Sequence, residues 1–215
     1  MKLSKVAKLC KDRMSIMIVD KVSGWATEDA KNTQWIGTPE AMYPMFDLPE
    51  IDEKTIFVIF DVDDKKKTDY SVNRIDVSEC QLCLEEQDTT ERPIEPSYYQ
   101  IVAEGHVYLI FDTSKGIRFV NRAYLAPMMS KLDQLMFFER RTESGQLYIV
   151  AKLGMLLAGV IVAPAPNAKD GRLLNFAKRL HDGIETARQH SEADAKERVF
   201  VNQETGEVME DDANA

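Results

Sequence analysis

Residues 116–164 carry the most regular pattern in the chain and limit most strongly what it can fold into. A strand-like run, Ile117–Val120, leads into a helical stretch, Ala123–Leu132, and then into three apolar runs at Leu135–Arg140, Leu147–Lys152 and Leu156–Ala163. Thr142–Gly145 and the Leu153-Gly154 pair have turn composition and separate those runs. Strand, helix and three-strand meander form a βαβββ unit, and the rest of the chain can be arranged around it.

Upstream, Leu3–Asp12 fits a short amphipathic helix. At 100° per residue Leu3, Val6, Ala7 and Cys10 share an arc, whereas Lys2, Lys5, Lys8 and Lys11 fall elsewhere, with Leu9 among the lysines. Ser15–Asp20 and Gln34–Gly37 read as strands, and Ala26–Thr33 as the loop between them. Met42–Phe46 is apolar but carries Pro44, which suits an edge or an irregular link. Thr55–Phe60, rich in β-branched and aromatic residues, is expected to be a buried strand ending in the charged turn Asp61–Asp69. Residues 70–84 alternate weakly. Tyr98–Val102 and His106–Asp112 resume strand character, and Asp112–Gly116 predicts a hairpin into Ile117–Val120.

The expected fold is therefore α+β: a mainly antiparallel sheet from two βαβββ-like halves, with helices on one face. One domain would span residues 1–164, its halves joined by the acidic, proline-containing linker 85–97. A second linker, 165–171, would lead to an appendage at 172–215. There Leu173, Phe176, Leu180, Ile184 and Ala187 have helical spacing, Val199–Val201 and Glu207–Met209 form a small hairpin, and an acidic tail follows.

At 215 residues, 44% hydrophobic and 29% charged, the chain has the composition of an ordinary globular protein. Its formal charge of −9 repels nucleic acid overall, so any such contact requires a local basic face. Three cysteines do not make a disulfide scaffold. The N-terminal segment lacks the uninterrupted apolar core of a secretory signal, and no apolar run approaches the ~18 residues of a membrane span. A reduced cytoplasm is the expected compartment, without membrane partners.

Several residue groups have spacings that could carry chemistry. Asp61-Val62-Asp63-Asp64 after an expected strand resembles the site of haloacid dehalogenase-type phosphatases, where one aspartate is the nucleophile and the other the acid/base. Lys65 stands where that family has threonine or valine, so a solvated turn is the competing reading, and the phosphatase-like pair Asp61/Asp63 is a minor alternative. Lys65 and Lys66 also remove the ligand and glycine positions of a calcium loop. Cys80 and Cys83 have the spacing of half a zinc site, but Cys10 and the scattered His106, His181 and His190 offer no paired complement. No glycine-rich phosphate loop or nucleophile elbow is present. No cofactor or metal is expected, and a binding or structural role is favoured over an enzyme.

The lysine helix is the main charge feature. Lys2, Lys5, Lys8 and Lys11, with Arg13 behind them, can track phosphates without reading sequence, or can be simple solvated surface.

Phe119–Leu125 followed by the strands ending Gly159–Pro164 resembles the second half of a DNA polymerase sliding-clamp domain, mainly over residues 106–164. In the first half only the order of elements is similar. The resemblance implies a non-enzymatic, clamp-like DNA-associated processivity or scaffold protein, and a small acidic chain with no obvious catalytic set would suit a phage or mobile-element product. Lys2, Lys5, Lys8, Lys11 and Arg13 would contact the DNA backbone. Ile161, Val162 and Pro164 would be counterparts of the apolar pocket for a DNA polymerase or another replication or repair protein. The chain lacks the strand that precedes the first helix in that family, and its second helix is not basic. With one such domain, a ring would need a homo-oligomer of about six copies. The alternative is an acidic protein-binding regulator or inhibitor that uses the C-terminal helix, the tail and the linker carboxylates and binds no DNA.

Overall fold

The computed structural model describes residues 2–21, 33–46, 48–103, 105–128, 134–163, 200–201 and 208–209. Its contacts divide the chain into two units, Met1–Ala165 and Pro166–Ala215. The first unit is α+β, built on a large, mostly antiparallel sheet.

Helix α1 (Leu3–Arg13) buries Val6, Ala7 and Cys10, the arc its spacing defines, and also Leu9. It ends at Met14, whose left-handed backbone lets its N–H reach the carbonyls of Cys10 and Lys11. The strands β1 (Ser15–Lys21), β2 (Thr33–Thr38) and β3 (Ala41–Met45) form an antiparallel meander. A Cβ on Gly37 would lie 2.0 Å from the Ala41 carbonyl oxygen, so the turn between β2 and β3 closes only on glycine. A second meander, β9 (Leu135–Arg141), β10 (Leu147–Leu153) and β11 (Leu156–Ile161), meets the first through antiparallel pairing of Met42 with Val160 and Ala41 with Ile161. At the sheet edges, β4 (Ser71–Asp76) runs parallel to β1 and β5 (Arg92–Ile94) pairs antiparallel with β9. Arg74 holds β4 in place through the carboxylates of Asp20, at 2.6 Å, and Glu50. A separate antiparallel sheet contains β6 (Pro96–Ala103), β7 (His106–Thr113) and β8 (Gly116–Asn121).

Both faces of the large sheet are covered, which explains why Leu147–Ala151 of β10 reads as an unbroken apolar run. On one face Ile16, Ile18, Ile36, Tyr43 and Ile149 pack with α1, with Leu109 and Phe111 of β7, and with Tyr124. On the other, Val19, Trp35, Met42, Tyr148 and Val150 pack under residues 75–84.

The sequence reading needs four corrections. Thr55–Phe60 is not a strand. It lies in helix α2 (Glu53–Ile59) and its C-cap, started by Asp52, whose carboxylate accepts the Thr55 N–H at 2.6 Å. Ile56 and Phe60, one turn apart, face the core, whereas Val58 is 73% exposed. Met42–Phe46 is no edge or link, because β3 lies inside the sheet. Pro44 is tolerated there since the pairing with β11 stops at Met42, before it.

The stretch 85–97 is not a free tether. It wraps Arg140, which is 0% exposed. The Arg140 guanidinium makes four hydrogen bonds, from Nε to Glu91 at 2.8 Å, from Nη1 to the carbonyls of Cys83 and Glu85, and from Nη2 to that of Glu86, and Nη2 also lies 2.6 Å from the Glu91 carboxylate. Lys152 joins Glu91 from the other side at 2.6 Å and lies over the Phe138 ring. The expected helix at 123–132 is, in its described part, a 3₁₀ turn over Arg122–Leu125 followed by an irregular turn. Pro127 cannot donate a helical hydrogen bond there.

In the second unit, β12 (Phe200–Val201) and β13 (Val208–Met209) pair antiparallel within the two arms of the expected hairpin. The helix expected at 172–198 lies outside the described residues.

Candidate nucleic-acid interface and partner groove

The apolar side of α1 is fixed by burial and by the Cys10 thiol, which donates to the Gly37 carbonyl at 3.2 Å. Burial pushes that thiol up to about 12, so Cys10 is an inert core group. The opposite side presents Lys5 and Lys8, with Lys2 at the N-cap; all three are exposed and have no side-chain partner among the described residues. A rise of 1.5 Å per residue spreads them over roughly 9 Å. Asp12, also exposed, lies one turn beyond Lys8 and dilutes the patch.

The other two cations of the set are engaged within the protein. Lys11 is half-buried and donates to the Asp61 carbonyl at 2.9 Å. Arg13 donates to the Tyr124 hydroxyl at 2.7 Å and lies 3.9 Å from Glu40. The hydrogen bond to Tyr124 raises the Arg13 pKa. These two tie the last turn of α1 to its neighbours, where positive charge also suits the helix dipole.

Asp61 and Asp63 do not follow a strand, the context in which that phosphatase family presents its aspartates. The strand that should deliver them is α2, Asp61 turns the chain with φ 51°, and the Asp63 carboxylate accepts the Lys65 N–H at 3.1 Å to start a 3₁₀ turn. Ile161, 1% exposed inside β11, presents no side-chain surface to a partner. Val162 is half-buried and donates its N–H to the Glu40 carbonyl at 2.8 Å, and Pro164 lies outside the described residues.

Cys80 and Cys83 line an open groove of about 730 Å³ with Asp88, Thr90, Arg141 and Ser144. Desolvation raises both thiols above their ordinary range. Among the described residues no group of three or more His, Cys, Asp or Glu is placed to hold a metal ion, and no helix is long and apolar enough to cross a membrane.

A second groove, also about 730 Å³, was not anticipated. It lies beside β9, between β5 and β6. Ile94, Leu109 and Phe137 form its buried floor, and Pro96, Tyr98 and Met136 its rim. The sequence signals were present in the prolines of 93–96 and in Met136, but they sit in a stretch whose composition resembles a linker.

No family model, curated protein or solved structure matches this chain.

Proposed function

We propose that the protein is a non-enzymatic, clamp-like scaffold that rests on the DNA backbone through α1. The observation supporting this reading is the geometry of that helix: one side anchored in the core, the other presenting Lys2, Lys5 and Lys8 to solvent. The arrangement of the sheet adds support. Each meander follows a helical turn, and their last strands pair antiparallel, which relates the two by an approximate two-fold axis.

Three lysines give weak, sequence-independent contact. A slope of log K against log salt no steeper than about −3 is expected, with affinity in the non-specific range of roughly 10⁻⁴–10⁻⁶ M. Triple replacement Lys2/Lys5/Lys8→Glu abolishes that binding while leaving the fold intact, because none of the three is buried. The check is fluorescence anisotropy with a labelled random-sequence duplex from low to physiological salt. No binding at the lowest salt would sink the proposal.

A second reading, an acidic protein-binding regulator without DNA affinity, is supported by the −9 charge together with the apolar groove beside β9. Tight binding to a basic protein by a chain that ignores DNA would favour it. Assembly belongs with the same experiment: a closed ring by light scattering supports the clamp form, and a strict monomer removes ring closure while leaving backbone contact testable.

A further inference from the structure

Among the described residues, the groove beside β9 contains an open strand edge. The ladder between β5 and β9 pairs Arg92 with Glu139, Pro93 with Phe138 and Ile94 with Phe137, and goes no further. β9 itself continues to Leu135 and Met136, which pair with β10 on the other side. On the β5 side these two residues have no strand partner among the described residues, because the chain turns away at Pro96 into β6. Successive strand residues point to opposite faces, yet Leu135, Met136, Phe137 and Phe138 all line the groove. A groove lined from both faces of a strand runs along that strand's edge, so its occupant meets main-chain donors and acceptors as well as apolar side chains.

We infer that this groove takes an extended segment of a partner protein, added as a strand against Leu135–Met136, with apolar side chains and one basic residue. Main-chain pairing fixes the extended form, and the floor of Ile94, Leu109 and Phe137 accepts alternate side chains. The basic residue follows from charge complementarity. Glu95, which is exposed, is the charged residue of the lining, and the chain carries −9 overall. A second copy of this chain is disfavoured on the same grounds. Pairing two β9 edges would bring together two grooves that each carry Glu95 and no cation in their lining, and Pro93 in β5 blocks continuation of the ladder beside them. The inference does not depend on DNA contact through α1.

The test uses the full chain and fluorescein-labelled ten-residue peptides of alternating valine and threonine, with a single lysine moved along the sequence, followed by anisotropy. One register binds. N-methylation of the amides along one peptide edge weakens it about tenfold or more, and along the other edge has no effect. Glu95→Lys weakens the lysine peptide about fivefold and strengthens its glutamate counterpart; the residue is exposed, so this variant folds. Absence of binding by every peptide up to about 1 mM overturns the inference. Indifference to N-methylation on both edges overturns it too, as does displacement by unlabelled duplex DNA. A dimer that Met136→Lys splits assigns the groove to a second copy, and also overturns it.

Discussion

Removing the Arg140 side chain takes away the hydrogen bonds to the Cys83, Glu85 and Glu86 carbonyls and leaves the Glu91 carboxylate, among the described residues, with Lys152 as its ion-pair partner. Arg140→Ala is therefore expected to lower unfolding free energy by about 3–5 kcal/mol, read from urea midpoints. Arg140→Lys restores less than half of that loss, since three ammonium donors cannot reproduce a planar five-donor fork. The Cys10 thiol sets a pH limit. Its folded pKa, pushed up to about 12, stands above the ordinary 9.0, so the folded state holds its proton more tightly. The stability this contributes is complete below pH 9 and is lost as pH rises towards 12, by about 1.4 kcal/mol per unit. Between pH 8.5 and 9.5, Cys10→Ala flattens the decline in urea midpoint relative to the parent. An arginine at the end of an apolar run and an acidic run elsewhere are both visible in the sequence. Their pairing is not, because 49 residues separate Arg140 from Glu91 and composition carries no such distance.

At the scale of elements, α2 shows where periodicity fails. Thr55–Phe60 is apolar throughout, so helix and strand periods fit it equally well, and its β-branched content tilts the reading towards strand. The deciding signal is Asp52, a residue suited to capping that sits three positions before Thr55. The two structures make opposite predictions. In a buried strand both Val58 and Ile56 would be costly to change. In the helix, Val58→Thr changes stability by less than about 0.5 kcal/mol, Asp52→Ala costs about 1 and Ile56→Ala about 2–5. Thermal or urea unfolding of the three variants separates these cases. The strands with clean spacing, β1, β2 and β7–β11, were legible because their runs are bounded by turn residues. The stretch before β9 misleads through Pro127, which stops regular helix bonding.

For the molecule as a whole, the α+β class follows from the sequence because it needs only the kinds of element present. The order of strands does not. The parallel edge of β4 against β1 and the junction of β3 with β11 depend on contacts between residues far apart in the chain. The candidate surfaces divide in the same way. The lysine side of α1 could be drawn on a helical wheel, whereas the loss of Lys11 and Arg13 to Asp61 and Tyr124 required the neighbouring elements. The groove beside β9 is assembled from four strands, β5, β6, β7 and β9, and has no local signature.

The junction of β3 with β11 also sets a schedule for synthesis. Met42 leaves the ribosome about 118 residues ahead of its partner Val160. At 5–20 residues per second, the open side of β3 waits roughly 6–24 s for its mate. Throughout that interval Ala41 and Met42 present an unpaired apolar edge to other nascent chains, and Pro44, two residues on, limits how far a wrong partner can zip along it.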